Sequence, residues 1–476
     1  MSDGGAVADE PTTSTAPSPA ADPVPSPAAD PEPVATVDPE PPSPVAAPGP
    51  DRRPRHRWPL WASLVAVSLL LTLGLPAALS AGGSGVATLA RAAAAPENPT
   101  TVAARQLAER ISGQLERQSA ALLAGDREGF LAIAAPAARA DLRQRFAALR
   151  ALRVSAWQAR PHGLPTPTSR AGDWRLVVEF RYCFVVPGCR TSPLLVNTRW
   201  REGTAAPRLL ALAVSEPDAQ VNGWAHSQYA ALPWEVSELV AAVGERTIVA
   251  TTPALRDRLP NLLRRAEAAA TVADAYAMGD APPDRYRIFY AGPREWKRWY
   301  GGEQPSWSAG YAVPVGGDRH EVVVRADSHS GADLEKLLRH ELTHVASLTE
   351  HGPTGASAWW LVEGLAELAE ADGEPADRHP RMAEVRRLVG RGWKGPLDRI
   401  APDHDTADWR VSAAYGVSYL TVRCLADRFG EQRLFAFAKA VLHERRIPRQ
   451  TAEEILGEPW SVVQDDCVAY VRRLAG

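Results

Sequence analysis

Lysine is nearly missing from this chain of 476 residues. Four lysines (Lys297, Lys336, Lys394 and Lys439) stand among 53 basic side chains, so arginine carries the positive charge. That charge is not in excess: 56 acidic residues set the formal net charge at -3, which excludes the basic footprint of a nucleic-acid binder. Cysteine is equally scarce at four, with no Cys-x-x-Cys pair, which argues against a thiolate zinc site. No repeat of fixed period runs along the sequence, which argues against a solenoid.

The first 50 residues lack Lys and Arg altogether, and hold 14 of the 42 prolines with eight carboxylates. Such a segment cannot bury a core, so residues 1–57 read as a disordered Pro/Ala-rich arm of extended, polyproline-like geometry. Pro-rich arms can also dock in aromatic grooves, which makes a cytoplasmic partner a candidate.

Charge disappears again from Trp58 to Ala90. Leu60 to Leu79 provides the roughly 20 apolar residues that span a bilayer core, so 58–81 reads as a transmembrane helix and 82–99 as a linker. Arg52, Arg53, Arg55 and Arg57 precede it and belong on the cytoplasmic side, which places everything after Ala81 outside. A cleaved signal peptide is the alternative, although the 57 residues ahead of the apolar run are long for one. Outside the cytosol the cysteines are expected to be oxidised, with Cys183 paired to Cys189 and Cys424 to Cys467 as the expected one of the three connectivities open to four cysteines.

Residues 100–216 read as helices followed by strands. Leu107, Ile111 and Leu115 recur at helical spacing, and Phe130, Leu142, Phe146 and Leu149 continue the apolar faces. After Pro161 the pattern shifts to strands at Arg175–Tyr182, Leu194–Trp200 and Leu209–Val214, and His162 reads as a solitary loop histidine. In order and length this segment resembles the nuclear transport factor 2-like fold, a cone used for binding or spacing.

The last segment, 233–476, predicts strands at 247–250, 286–290 and 321–325, and a long helix over 252–278. Asp333 can cap a helix in which His340 and His344 lie four residues apart. Both imidazoles then project from one face, at a separation that a tetrahedral zinc accepts. Glu341, offset by about 100°, can reach a metal-bound water without coordinating the metal. Eighteen residues separate His344 from Glu363 in Trp359-Trp-Leu-Val-Glu-Gly-Leu-Ala-Glu367, a second helix able to return a carboxylate to the histidines.

The H-E-x-x-H pair, its 18-residue spacing and Trp-x-x-Glu-Gly-x-Ala resemble the gluzincin, peptidase MA-like clan of zinc metallopeptidases over about residues 233–476. The resemblance implies Zn2+ held by His340, His344 and Glu363, with Glu341 as general base. It suggests Glu367 as the carboxylate that orients a zinc histidine, against the plainer reading of an exposed helix carboxylate. It also suggests Tyr415 as the oxyanion donor, with Tyr419 one turn on as competitor. A metzincin site would need Gly and His where this chain has Ser347 and Glu350. The Gly-x-Met-x-Asn strand motif of alanyl aminopeptidases is missing from 309–325, which leaves aminopeptidase specificity in doubt.

Glu321–Arg325 could be the edge strand that pairs with extended substrate. His320, His329, His351, His379, His404 and His443 read as surface or loop residues. The expectation is therefore an α+β chain: a disordered arm, one membrane span, a helix-plus-antiparallel-sheet domain, and a mostly helical zincin-like lobe with a small mixed sheet. As a whole it implies a membrane-anchored, extracytoplasmic zinc metallopeptidase acting on peptides or proteins. A catalytically inactive binding or sensory protein and a zinc hydrolase of an envelope amide are the alternatives.

Overall fold

The computed structural model describes residues 98–191, 194–215, 231–279, 281–302, 304, 307–316, 319–349, 356–403 and 405–476. The arm at 1–57, the span at 58–81, nearly all of the linker, His351 and His404 lie outside the described residues. No helix among the described residues is long and apolar enough to cross a membrane.

Helix α1 (Pro99–Ala124) begins where the Asn98 side chain accepts from the Thr100 amide, and ends at Gly125 in the left-handed region, φ 76°. Its stripe of Leu107, Ile111, Leu115 and Leu122, together with α2 (Arg139–Ala151), covers one face of an antiparallel sheet. That sheet runs in the order β1 (Val154–Pro167), β2 (Asp173–Phe184), β3 (Leu194–Arg201), β4 (Arg208–Leu212). Strand β1 starts well before Pro161, contrary to the sequence expectation. Its prolines are tolerated because β1 is an edge strand, and a register shift between His162 and Thr166 absorbs Gly163 at φ 82°. His162 thus lies on a strand rather than in a loop, with Nδ1 3.5 Å from Glu179.

The second sheet has the order β5 (Val240–Val243), β6 (Thr247–Thr251), β7 (Tyr286–Ala291), β9 (Arg319–Arg325), β8 (Gly310–Gly316). Strands β6, β7 and β9 are parallel, whereas β5 and β8 are antiparallel and close the two ends. The expected edge role of Glu321–Arg325 is therefore corrected: β9 is interior and buried, and β8 takes the edge. Pro314, which hides β8 from a strand reading, is permitted there because an edge strand can spare a ladder donor. The single helix expected over 252–278 is also divided. A 3₁₀ turn covers Pro253–Arg258, and α3 (Leu259–Asp274) begins afresh at Pro260, whose ring would clash with the carbonyl four residues back.

Alternation along β9 connects two layers. Val322 and Val324 pack with α3 and with α4 (Gly331–Ser347), whereas Val323 joins Phe289, Trp234 and the apolar side chains of the first sheet in one continuous cluster. Trp234 sits edge-on to Trp157 and Tyr182, at 5.6 and 5.5 Å between ring centroids, and the neighbouring Glu235 accepts from Arg145 at 3.2 Å. The helix-plus-sheet segment and the last segment thus share a core.

Helices α5 (Trp359–Ala371), α6 (Met382–Gly390), α7 (Asp408–Phe429), α8 (Glu431–Leu442), α9 (Pro448–Leu456) and α10 (Trp460–Ala475) build a second core. Both expected disulfides are formed, Cys183–Cys189 and Cys424–Cys467. The second closes a sequence separation of 43 residues between α7 and α10, worth roughly 4 kcal/mol by loop-closure entropy. Cys467→Ser is accordingly expected to lower the unfolding free energy by about that amount, read from denaturant midpoints with and without reductant.

Candidate metal centre

Helix α4 buries Leu334, Leu338, Leu342 and Val345 against α3, which turns His340, Glu341 and His344 inward as well. Its N-cap is Ser330; Asp333, expected as a cap, instead lies within the first turn, where its charge favours the helix dipole. Helix α5 approaches from the other side. His340 Nε2 and His344 Nε2 lie 3.3 and 3.4 Å from the same oxygen, Glu363 Oε2.

Those separations are long for a charge-assisted hydrogen bond of about 2.7–2.9 Å. They match the edge of a tetrahedron, about 3.3–3.4 Å when the metal–ligand bonds are about 2.0–2.1 Å. Glu363 Oε2 is buried and has no hydrogen-bond partner among the described residues. Two imidazole nitrogens and a carboxylate oxygen form a donor set that suits zinc, so the residues present fit the ion. Burial disfavours the charged carboxylate of Glu363, yet the His344 and His340 charges outweigh it and hold its pKa at about 2.

A close helix crossing sets the position of Glu363. A Cβ added to its neighbour Gly364 would sit 2.5 Å from the Ser418 carbonyl oxygen of α7 and press on Val422. Gly364→Ala is expected to force α5 away from α7, costing about 1–3 kcal/mol and weakening metal binding. Thermal unfolding and metal titration read the two effects separately.

Glu341 is buried, and its Oε2 has no hydrogen-bond partner among the described residues. Burial pushes its carboxyl above the usual carboxylate range, against the pull of His340 and His344. Its Oε1 faces Gly310 of β8, where an added Cβ would come within 2.7 Å, so the carboxylate needs glycine at that point of the edge strand.

Glu367 is fully buried, which removes the exposed-carboxylate reading. It accepts from Arg381 at both oxygens, at 2.8 and 2.9 Å, and lies 3.4 Å from His340 Nδ1 and 3.2 Å from His379 Nε2. Burial opposes ionisation of Glu367, but Arg381 and the two histidines lower its pKa well below the usual value. Glu370 Oε2 also approaches His340 Nδ1, at 3.3 Å, and was not among the residues marked in the sequence. Its position seven residues after Glu363, two turns along the same face, was the available signal.

Histidines expected at the surface or in loops prove partly internal. His379 is buried and stacks on Tyr419 at 4.1 Å, His320 is buried on β9, and His329 is half-buried. His443 Nε2 lies 2.9 Å from the Ser347 carbonyl at the end of α4.

Tyr415 and Tyr419, one turn apart on α7, take different surroundings. The Tyr415 ring lies 5.9 Å from His340 and 5.0 Å from Trp359, with the Arg381 guanidinium 4.8 Å above it. Burial, then the Glu363 charge, raises its phenol well above the ordinary pKa and keeps it protonated. Tyr419 is turned away toward His379 and the Glu374 carbonyl.

The sequence matches no family model, and no curated protein matches it. Solved structures align with it at low similarity. An M1 zinc metallopeptidase from Deinococcus radiodurans is 16% identical, with a TM-score of 0.33 over 67% of this chain and 61% of that one. Native leukotriene A4 hydrolase from Saccharomyces cerevisiae is 16% identical, with a TM-score of 0.28 over 48% of this chain and 38% of that one. The yeast hydrolase in complex with bestatin is 12% identical, with a TM-score of 0.32, covering 66% and 59%. The alignment spans about three fifths of the length of the Deinococcus structure.

Proposed function

We propose that this chain is a zinc-dependent metallopeptidase, anchored in the membrane by residues 58–81 with its catalytic lobe outside the cytoplasm. The observation that carries the reading is the meeting of His340, His344 and Glu363 at tetrahedral-edge distances beside the unpartnered oxygen of Glu341. His340, His344 and Glu363 would hold zinc, which would supply Lewis-acid chemistry, lowering the pKa of a nearby water to about 7.

The chain's own residues do the rest. Glu341 takes a proton from the attacking water and passes it to the leaving amine. Tyr415, held protonated, donates to the carbonyl oxygen as negative charge develops there. Glu367 and Glu370, backed by Arg381 and His379, fix the orientation of His340 from its far side. The free side of β8, beside Glu341 at Gly310, offers backbone groups to an extended peptide.

Two disulfides, one in the helix-plus-sheet layer and one in the catalytic lobe, accord with an oxidising compartment. On this reading the Pro-rich arm faces the cytoplasm, where it can meet a partner, and the helix-plus-sheet layer serves as a spacer joined to the lobe by the shared core. The test is a cleavage profile of the purified full chain on a peptide library. Hydrolysis should vanish with chelator and return with Zn2+. A zinc-loaded chain that cleaves no peptide would overturn the proposal.

A further inference from the structure

We propose that the outer ends of α6 and α7 form a second binding surface, centred on Trp409, that holds an acidic stretch of the peptide substrate; this rests on the peptidase reading above. Residues 381–399 hold six basic side chains against two carboxylates, in a chain whose acids and bases otherwise nearly balance. Three guanidinium groups surround the half-buried Trp409 ring: Arg387 at 4.0 Å from its centroid, Arg391 at 4.9 Å and Arg410 at 5.8 Å.

All three arginines are exposed. Among the described residues none has a carboxylate within 4.0 Å, although Glu384 and Asp408 lie on the same two helices. Some other arginines are paired, Arg423 with Asp427, Arg428 with Glu458 and Asp466, and Arg446 with Glu454, while exposed Arg386 and Arg433 also lack a carboxylate partner among the described residues; what sets the three apart is their convergence on one ring. Crowding three like charges around one ring without a counter-charge raises the local potential and invites an anion. The ring face positions the guanidinium planes and leaves their N–H edges free, the fork that suits carboxylates.

The location favours a peptide. At one end of the α6–α7 pair Arg381 lies over Tyr415; six residues further along each helix, Arg387 lies over Trp409. Six helical residues rise about 9 Å, which an extended chain covers in about three residues at about 3.3 Å each. A substrate whose bond lies at the metal centre thus brings residues three or more positions away onto the arginines.

The test uses the full-length Glu341→Gln variant, so that nothing is cleaved, and a fluorescein-labelled hexaglutamate peptide read by fluorescence anisotropy. Saturable binding is expected, weakened at least tenfold in Arg387→Gln/Arg391→Gln/Arg410→Gln and left unchanged by Arg446→Gln. With Glu341 restored, KM for a peptide bearing glutamates three residues from the cleaved bond should rise about tenfold in the triple variant. Its kcat, and both constants for a neutral peptide, should stay unchanged. Equal hexaglutamate binding by the triple variant would overturn the surface, as would equally effective competition by inorganic phosphate or by phosphatidylglycerol vesicles. Intact hexaglutamate binding in a chain that never turns over would support the surface and sink the peptidase reading.

Discussion

Glu341→Gln is expected to lower peptide hydrolysis by about 10²–10⁴-fold, the contribution of a positioned general base, while one zinc per chain is retained. The substitution keeps the size and burial of the side chain and removes its ability to accept a proton. Glu341 contributes no atom to the group formed by His340, His344 and Glu363, so metal content should not follow activity. Its neighbour Gly310 leaves space for the new amide at the edge strand. Metal analysis beside kcat/KM separates the outcomes: full activity with zinc bound would remove Glu341 from the mechanism, and joint loss of both would show a structural defect instead.

Glu363→Ala should abolish the metal itself, taking zinc from one per chain to none, and hydrolysis with it. Both histidine nitrogens converge on the same Glu363 oxygen, so the substitution removes the carboxylate that the two share. Glu363→Gln is the sharper variant because it preserves volume against Gly364 and α7 while supplying a neutral, weaker ligand. Competition with a chromogenic chelator should order the chains as the original sequence, then Gln, then Ala. Unchanged zinc in the Ala variant would place the ion elsewhere.

The motif was legible in the sequence because a single helix sets its spacing. His340 and His344 meet on one face by the period of the α-helix, whereas Glu363 entered through the resemblance of its 18-residue spacing and its Trp-x-x-Glu-Gly-x-Ala segment to the gluzincin pattern. Arg381 and His379 were not legible as His340's support, since their roles come from the packing of α5 and α6, which no local spacing states; Glu370, two turns after Glu363 on the same helix, carried a spacing signal that was passed over. Strands β1 and β8 were hidden by proline, a residue that signals against a strand in general and is harmless at the edge of a sheet. Whether a strand lies at an edge is itself a tertiary fact. The apolar pattern of β9 identified it as a strand, but that pattern fits an interior position, which is where it lies.

If the chain is the peptidase proposed above and extended substrate pairs with β8, the edge position of that strand would also limit which clients can be cut. A segment that lies along it must first surrender its own helix or sheet hydrogen bonds and stretch out, at a cost set by the client's fold rather than by the peptidase. Turnover of folded clients would then follow the fraction of time that their segments spend locally opened. Tails and loops would be cleaved early and compact domains slowly, so selectivity among proteins can arise from differences in client stability before any side chain is recognised.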